Sequence, residues 1–362
     1  MATARIIHAR ASLPPWNGHL LPIVSYLSIF GSEASILLAS TTMGPKMKTL
    51  FVQLRNQLTI NESLETFLTD VPMHCPNLVT LRLQLVNNRN GHFGYGNALA
   101  THVSNCTLLE EFATEDGEMT VTEELLVGLS RLPKLKKLMW STYFMDLYGQ
   151  SMRPLLEAGC FPSLEVLHVG GLNKSAMEML GSPHFQPERL TETTMSMSGT
   201  KDLVQPFLSA ITPAGTTSKI EIIDLLLFDF TVTIESMTRV QAMHCLKKLE
   251  VAALDISLSD VDMAQLLSSL PALEMIRLNS NARRTAEPGR LTLLVLHYLM
   301  QYCPLLKEAK HFLTLVKSPL LPSSYGGEAS ARKEVETQLR GFDYQICPVS
   351  SRLGARRLGK EI

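Results

Sequence analysis

One short phrase recurs along this chain and governs what it can fold into: a turn residue, usually Pro, followed by x-Leu-x-x-apolar-x-apolar. Pro76–Leu83, Pro133–Trp140, Pro162–Val169 and Pro271–Leu278 spell it out in full. Looser copies start at Leu109, Leu190, Ile220, Leu246 and Leu306, and an earlier candidate runs from Met47 through Leu50 to Val52. The starts fall at 78, 109, 135, 164, 190, 220, 246, 273 and 306, so successive copies lie 26 to 33 residues apart. A near-constant period of this length is the signature of a tandem array.

The closing apolar-x-apolar alternation is the period of a strand. Between copies the spacing changes to that of a helix. Leu64, Phe67, Leu68 and Val71 fall at i, i+3, i+4 and i+7, as do Met263, Leu266, Leu267 and Leu270. Ser259 with Asp262, and Thr120 with Glu123, have the spacing that satisfies orphan amides at a helix start. The unit is therefore strand, loop, helix and return. Such a unit cannot cover its own apolar face, so neighbours must stack, with strands side by side in one parallel sheet and helices outside it. A doubly wound sheet also alternates strand and helix, but it would not repeat the lettering of the phrase. The expected fold is an α/β solenoid.

Hydrophobic residues make up 45% of the chain and charged residues 19%, enough apolar material for a long buried interior. The 33 basic and 34 acidic side chains nearly cancel. That balance argues against a partner held through phosphates, so neither nucleic acid nor an anionic membrane surface is expected. The apolar runs from Leu20 to Phe30 and from Ile220 to Phe230 are too short and too often interrupted to span a bilayer. No secretory leader is recognised, and the sequons at Asn61, Asn105 and Asn173 are expected to stay unmodified.

The cysteines at 75, 106, 160, 245, 303 and 347 form no CxxC pair. Cys75, Cys106 and Cys303 each sit three residues before a repeat leucine, and Cys160 sits four before. A thiol recurring at one place in stacked units behaves as a small packed hydrophobe, which points to a reducing, cytoplasmic setting. Nuclear entry through the basic end, Arg352, Arg356, Arg357 and Lys360, is a weaker expectation.

Enzyme signatures are missing. Gly91-His-Phe-Gly94-Tyr-Gly96 departs from the dinucleotide fingerprint in spacing and follows an Asn-rich stretch, so it is expected as a loop. His74 and His244 each adjoin a cysteine, but neighbours on an extended backbone point to opposite sides and cannot share a metal. Trp140 takes the third apolar position of its phrase and is expected in the core. No cofactor, metal or catalytic residue is assigned.

The long irregular repeats resemble those of the F-box leucine-rich-repeat proteins, of the kind abundant in basidiomycete fungi. Cys303-Pro-Leu-Leu306 after an apolar helix at 291–302, and Phe161-Pro-Ser-Leu-Glu-Val-Leu167, carry the likeness, which covers about residues 46 to 316. Leu273-Glu-Met-Ile-Arg-Leu278-Asn-Ser-Asn281 alone completes the usual lettering through its last asparagine. The resemblance implies a leucine-rich-repeat horseshoe of about nine to ten repeats, with a concave parallel sheet and convex helices. It also implies a substrate-recognition subunit of a cullin-type ubiquitin ligase, docked on its adaptor through the N-terminus. That family opens on Leu-Pro-x-Glu-[Ile/Leu], whereas Leu13-Pro14-Pro15-Trp16 lacks the Glu. The F-box is thus absent or degenerate, with Ile23–Phe30 expected as a short apolar helix.

Three regions follow: 1–45 as an N-terminal cap or degenerate F-box-like region, 46–321 as the repeat domain, and 322–362 as a flexible tail with one short helix near 330–340. Solenoids of this kind bind proteins on the concave sheet, whose outward side chains flank the second repeat leucine. Arg82, Lys137, His168, Asp224, Lys248, Glu250 and Arg277 are the candidate protein-binding residues. Mixed signs among apolar neighbours suit a protein surface. The expected function is a non-catalytic interaction scaffold. The alternatives are a purely structural repeat protein and an enzyme whose site carries no local motif.

Overall fold

A computed structural model describes residues 4–6, 25–31, 36, 39–40, 42–55, 62–86, 95–117, 123–142, 156–157, 159–170, 180, 184–185, 187–197, 204–212, 218–280, 291–292 and 294–311. Its centre is a single sheet of twelve strands, every neighbouring pair parallel, laid down in the order of the sequence. The strands are β1 (Ala4–Ile6), β2 (Tyr26–Gly31), β3 (Thr49–Arg55), β4 (Thr80–Val86), β5 (Glu111–Gly117), β6 (Lys137–Thr142), β7 (Val166–Gly170), β8 (Glu192–Met197), β9 (Ile222–Val232), β10 (Lys248–Ile256), β11 (Met275–Ser280) and β12 (Glu308–His311). Among the described residues six helices lie between them: α1 (Glu62–His74), α2 (Tyr95–Val103), α3 (Glu123–Ser130), α4 (Val204–Ile211), α5 (Asp260–Ser268) and α6 (Leu294–Tyr302). Two single 3-10 turns, Glu235–Met237 and Val240–Ala242, take the place of a helix between β9 and β10. The chain is thus α/β, and consecutive helices pack on one another where α1 meets α2, α2 meets α3, and α5 meets α6.

The residue before the turn proline and the leucine of the phrase are two ends of one hydrogen-bonded turn. Leu78 N–H donates to the Cys75 carbonyl at 3.0 Å, Leu109 to Cys106 at 2.9 Å, Leu246 to Met243 at 2.9 Å, Leu273 to Leu270 at 3.2 Å and Leu306 to Cys303 at 3.0 Å. Proline suits the second position because its ring presets φ and its missing N–H is not needed there. Met47 donates in the same way to Gly44, so the candidate copy at Met47 is in phase. One carbonyl of each strand entry then accepts two amides of the next: Val79 and Thr80 donate to Lys48, Glu110 and Glu111 to Val79, and Lys247 and Lys248 to Glu221. That shared acceptor ties every unit to the one before it.

The cysteines open these turns, where Leu132, Met243 and Leu270 serve elsewhere, which is why a thiol and a hydrophobe exchange freely. Burial pushes the Cys75 and Cys303 thiols up to about 11 and Cys106 to about 12. Cys160 departs from the pattern. Gly159 and Phe161 both take positive φ, 80° and 53°, so Phe161 becomes the first turn residue and Cys160 Sγ donates to the His184 carbonyl at 3.0 Å.

The second repeat position stacks into one buried row: Leu27, Leu50, Leu81, Phe112, Leu138, Leu167, Thr193, Ile223, Leu249, Ile276 and Ala309. The third position stacks as Ile29, Val52, Leu83, Thr114, Trp140, Val169, Met195, Leu225, Val251 and Leu278, so Trp140 is a core residue as expected. Phe67, Leu68 and Val71 of α1 and Met263, Leu266 and Leu267 of α5 are fully buried beneath these rows. The capping box at Ser259 is present: Asp262 N–H donates to Ser259 Oγ at 3.2 Å and Ser259 N–H to Asp262 Oδ2 at 2.8 Å.

Three expectations need correcting. Residues 26–31 form strand β2 and not a helix, because Leu27 and Ile29 face the core while Tyr26 and Phe30 face solvent. An apolar run with no polar face carries no periodicity from which to choose, and its aromatic content favours the strand. With β1 and β2 in the sheet, the strands number twelve against the nine to ten repeats expected. Tyr95 and Gly96 open α2, so only the earlier part of the glycine-rich stretch is left for a loop. The Thr120 cap, Leu13–Trp16, residues 91–94 and everything after 311 lie outside the described residues.

Candidate functional site: the solvent face of the sheet

Side chains next to the buried leucines point to the other face of the sheet. The strand register orders them into two rows across it. One runs Tyr26, Thr49, Thr80, Glu111, Lys137, Val166, Glu192, Ile222, Lys248, Met275 and Glu308. The other runs Ser28, Phe51, Arg82, Ala113, Met139, His168, Thr194, Asp224, Glu250 and Arg277. All seven candidates from the sequence stand in these rows.

Most of their charges are already paired inside the sheet. Arg82 Nε donates to Glu111 Oε1 at 2.7 Å across β4 and β5. His168 Nε2 lies 3.0 Å from Glu192 Oε1 across β7 and β8. Lys248 Nζ is 3.2 Å from Glu250 Oε2, which Arg277 Nη1 also reaches at 3.4 Å. Arg277 further donates to Glu308 Oε1 through Nε at 3.0 Å and Nη2 at 2.8 Å, and this bond to Glu308 raises its already high pKa. The chain Lys248–Glu250–Arg277–Glu308 is therefore neutral as a group.

Lys137 and Asp224 differ. Lys137 is exposed on β6 and has no ion pair among the described residues. Asp224, half-buried on β9, has an Oδ1 that is closed off from solvent and accepts no hydrogen bond. Its carboxyl is raised above the usual range, first by burial and then by the Glu250 carboxylate, against the pull of Lys248, His168 and Arg277. Between these two positions the face is made of half-buried Met139, Val166, Thr194 and Ile222, with the His168–Glu192 pair among them.

Two features escape a reading of single strands. The first is an aromatic patch at the start of the sheet, where Tyr26 and Phe30 are exposed and Phe30 meets Phe51 with ring centroids 5.6 Å apart. Reading Ile23–Phe30 as a helix hides it, because the patch exists only once residues 26–31 pair as a strand. The second is a ladder along the strand entries, one residue before each strand. Lys136 Nζ bonds Glu110 Oε2 at 2.8 Å, Lys247 bonds Glu221 at 2.8 Å, and Lys307 bonds Glu274 at 2.6 Å. The alternating signs at that position were visible in the sequence once the strand entries were aligned.

Among the described residues no group of three or more His, Cys, Asp or Glu could hold a metal ion, and no helix is long and apolar enough to cross a membrane. Cys75 is buried while His74 beside it is not. His244 Nδ1 meets the Ser269 carbonyl at 3.0 Å. An apolar groove lined by Leu296, Leu299, Met300, Cys303, Leu306 and Ala309 lies beside β12, with no titratable side chain other than a raised thiol. A scan against protein-family models finds no match for this chain, and neither does a search of curated proteins.

Proposed function

We propose that the chain is a leucine-rich-repeat horseshoe that binds protein partners on the concave, solvent-facing side of its sheet and carries no catalysis of its own. The observation that carries this reading is the pair of side-chain rows running across the sheet, apolar and charged by turns and exposed or half-buried from β6 to β9. Enzymes bury most of a substrate in a concave pocket with converging polar groups, whereas extended sheet faces suit macromolecular surfaces. The raised thiols of Cys75, Cys106 and Cys303 hold their protons at neutral pH and are poor nucleophiles. A place as substrate-recognition subunit of a cullin-type ligase, in the cytoplasm or nucleus, stays within the proposal through the repeat lettering alone. A purely structural role and an enzyme without local motifs are the rival readings.

The test is capture on the immobilised full chain, wild type against Ile222→Glu, followed by mass spectrometry. Ile222 is half-buried on the solvent face, so the substitution puts a charge on that face without opening the core. Partners retained by the wild type and lost by the variant support the reading. Partners held equally by both move binding elsewhere. A cullin-ligase adaptor among proteins retained by both would place the ligase contact away from this face.

A further inference from the structure

The proposed binding face has an uneven charge balance, and that imbalance specifies what should sit on it. Arg82, His168, Lys248, Glu250 and Arg277 have partners within the sheet, so an incoming charge gains from them only by breaking a bond already made. Lys137 and Asp224 have none among the described residues. They lie three strands apart, on β6 and β9, and in different rows. At about 4.8 Å per strand and about 3.3 Å per residue along it, they are roughly 16 Å apart. The ground between them is half-buried Met139, Val166, Thr194 and Ile222, with His168 and Glu192 among them already bonded to each other.

Resting on the reading of this face as the binding surface, we propose that its occupant is a segment of a protein partner bearing one basic and one acidic side chain. The base meets Asp224 and the acid meets Lys137. Apolar side chains between them cover Met139, Val166 and Ile222. An extended segment spans that distance in about five residues. A basic group over half-buried Asp224 meets a carboxylate that bonds no cation among the described residues, and charge-assisted bonds of this kind are among the stronger ones. A phosphate backbone fits badly, since it brings no cation to Asp224 and would meet the Glu192 and Glu250 carboxylates beside it. The arrangement discriminates as well as attracts: a segment with its charges exchanged would set like against like at both ends.

The experiment pans a library of twelve-residue phage-displayed peptides against the folded full-length protein at neutral pH. Binders are then measured on Lys137→Met and Asp224→Asn, which remove each charge with little change in shape, and on the exchange Lys137→Glu with Asp224→Lys. The expected result is enrichment of peptides carrying a base and an acid about five positions apart around apolar residues. Either neutral variant should weaken them about tenfold or more. On the exchanged protein, the same peptide with its own base and acid exchanged should bind better than the original. Binders without that pairing, or binders indifferent to both neutral variants, overturn the proposal. When such binders are still lost on Ile222→Glu, only the charge assignment falls and the face remains a binding surface. An absence of binders, or indifference to Ile222→Glu, brings down both. A second copy of this chain as occupant would appear as a dimer in sedimentation that Asp224→Asn dissociates, and that too overturns the choice of partner.

Discussion

Arg277 on β11 grips Glu308 on β12 through two nitrogens of its guanidinium, at 3.0 and 2.8 Å, while its remaining nitrogen reaches back to Glu250 on β10. One side chain thus fastens three successive units on the face opposite their leucines. A sequence reading sees Arg277 as a free binding residue. The structure makes it a bracket whose partners lie 27 and 31 residues away.

Reversing that bracket should cost stability. Arg277→Glu sets a third carboxylate between Glu250 and Glu308, and half-exposed pairs of this kind contribute about 0.2–1 kcal/mol each. With repulsion added, a loss of about 1–2 kcal/mol is expected in urea unfolding, partly relieved in high salt. Capture experiments using this substitution would therefore confuse binding with folding. An unchanged midpoint would show that the bracket is not formed in solution.

Thr193 and Thr114 interrupt the two buried rows, and neither hydroxyl has a hydrogen-bond partner. Thr193 stands between Leu167 and Ile223, fully buried. Valine has the same shape without the hydroxyl, and removing a buried unsatisfied group of this kind is worth about 1 kcal/mol. Thr193→Val should raise the urea midpoint with no change in slope. A lower midpoint would mean that the hydroxyl is satisfied.

Leu249→Ala removes a fully buried side chain whose neighbours in the row, Ile223 and Ile276, are held by the sheet and cannot close over the gap. The expected loss is about 2–5 kcal/mol. A change below 1 kcal/mol on the scale of such substitutions would place this leucine outside the stacked row.

Ser259→Ala should cost about 1 kcal/mol through the cap of α5, since the hydroxyl accepts from Asp262 N–H and donates to Asp262 Oδ2. Circular dichroism melting reads this directly. Ser259→Asp, which can also cap, should recover most of the loss.

Asp224 gives a prediction with a pH sign. Its folded pKa is raised, so between the unfolded value, about 3.9, and the folded one the native state holds the extra proton. Stability therefore falls as pH rises through that window, and the loss stays at neutral pH. Asp224→Asn should stabilise the protein more at pH 7 than at pH 4 in paired urea titrations, while weakening the peptides selected above. A variant that gains stability and loses binding together is what a carboxylate kept for a partner should produce. Equal effects at both pH values would remove the burial argument.

The leucine phrase determined the order of strands, the phase of the buried rows and the place of the cysteines, because the turn, the strand alternation and the helix spacing are all local. Each is set within a few residues of its own signal. Residues 26–31 fell outside that reach, since a run apolar on both faces has no phase of its own and becomes a strand only against β3. Pairing of Arg82 with Glu111, and the isolation of Lys137 and Asp224, were decided by the tertiary structure alone. A side chain on one strand finds its neighbour a whole repeat away, and which residues meet depends on a register that no single unit encodes. The sequence therefore determined which residues would face solvent, and the stacking of units decided which of them would be left wanting a partner.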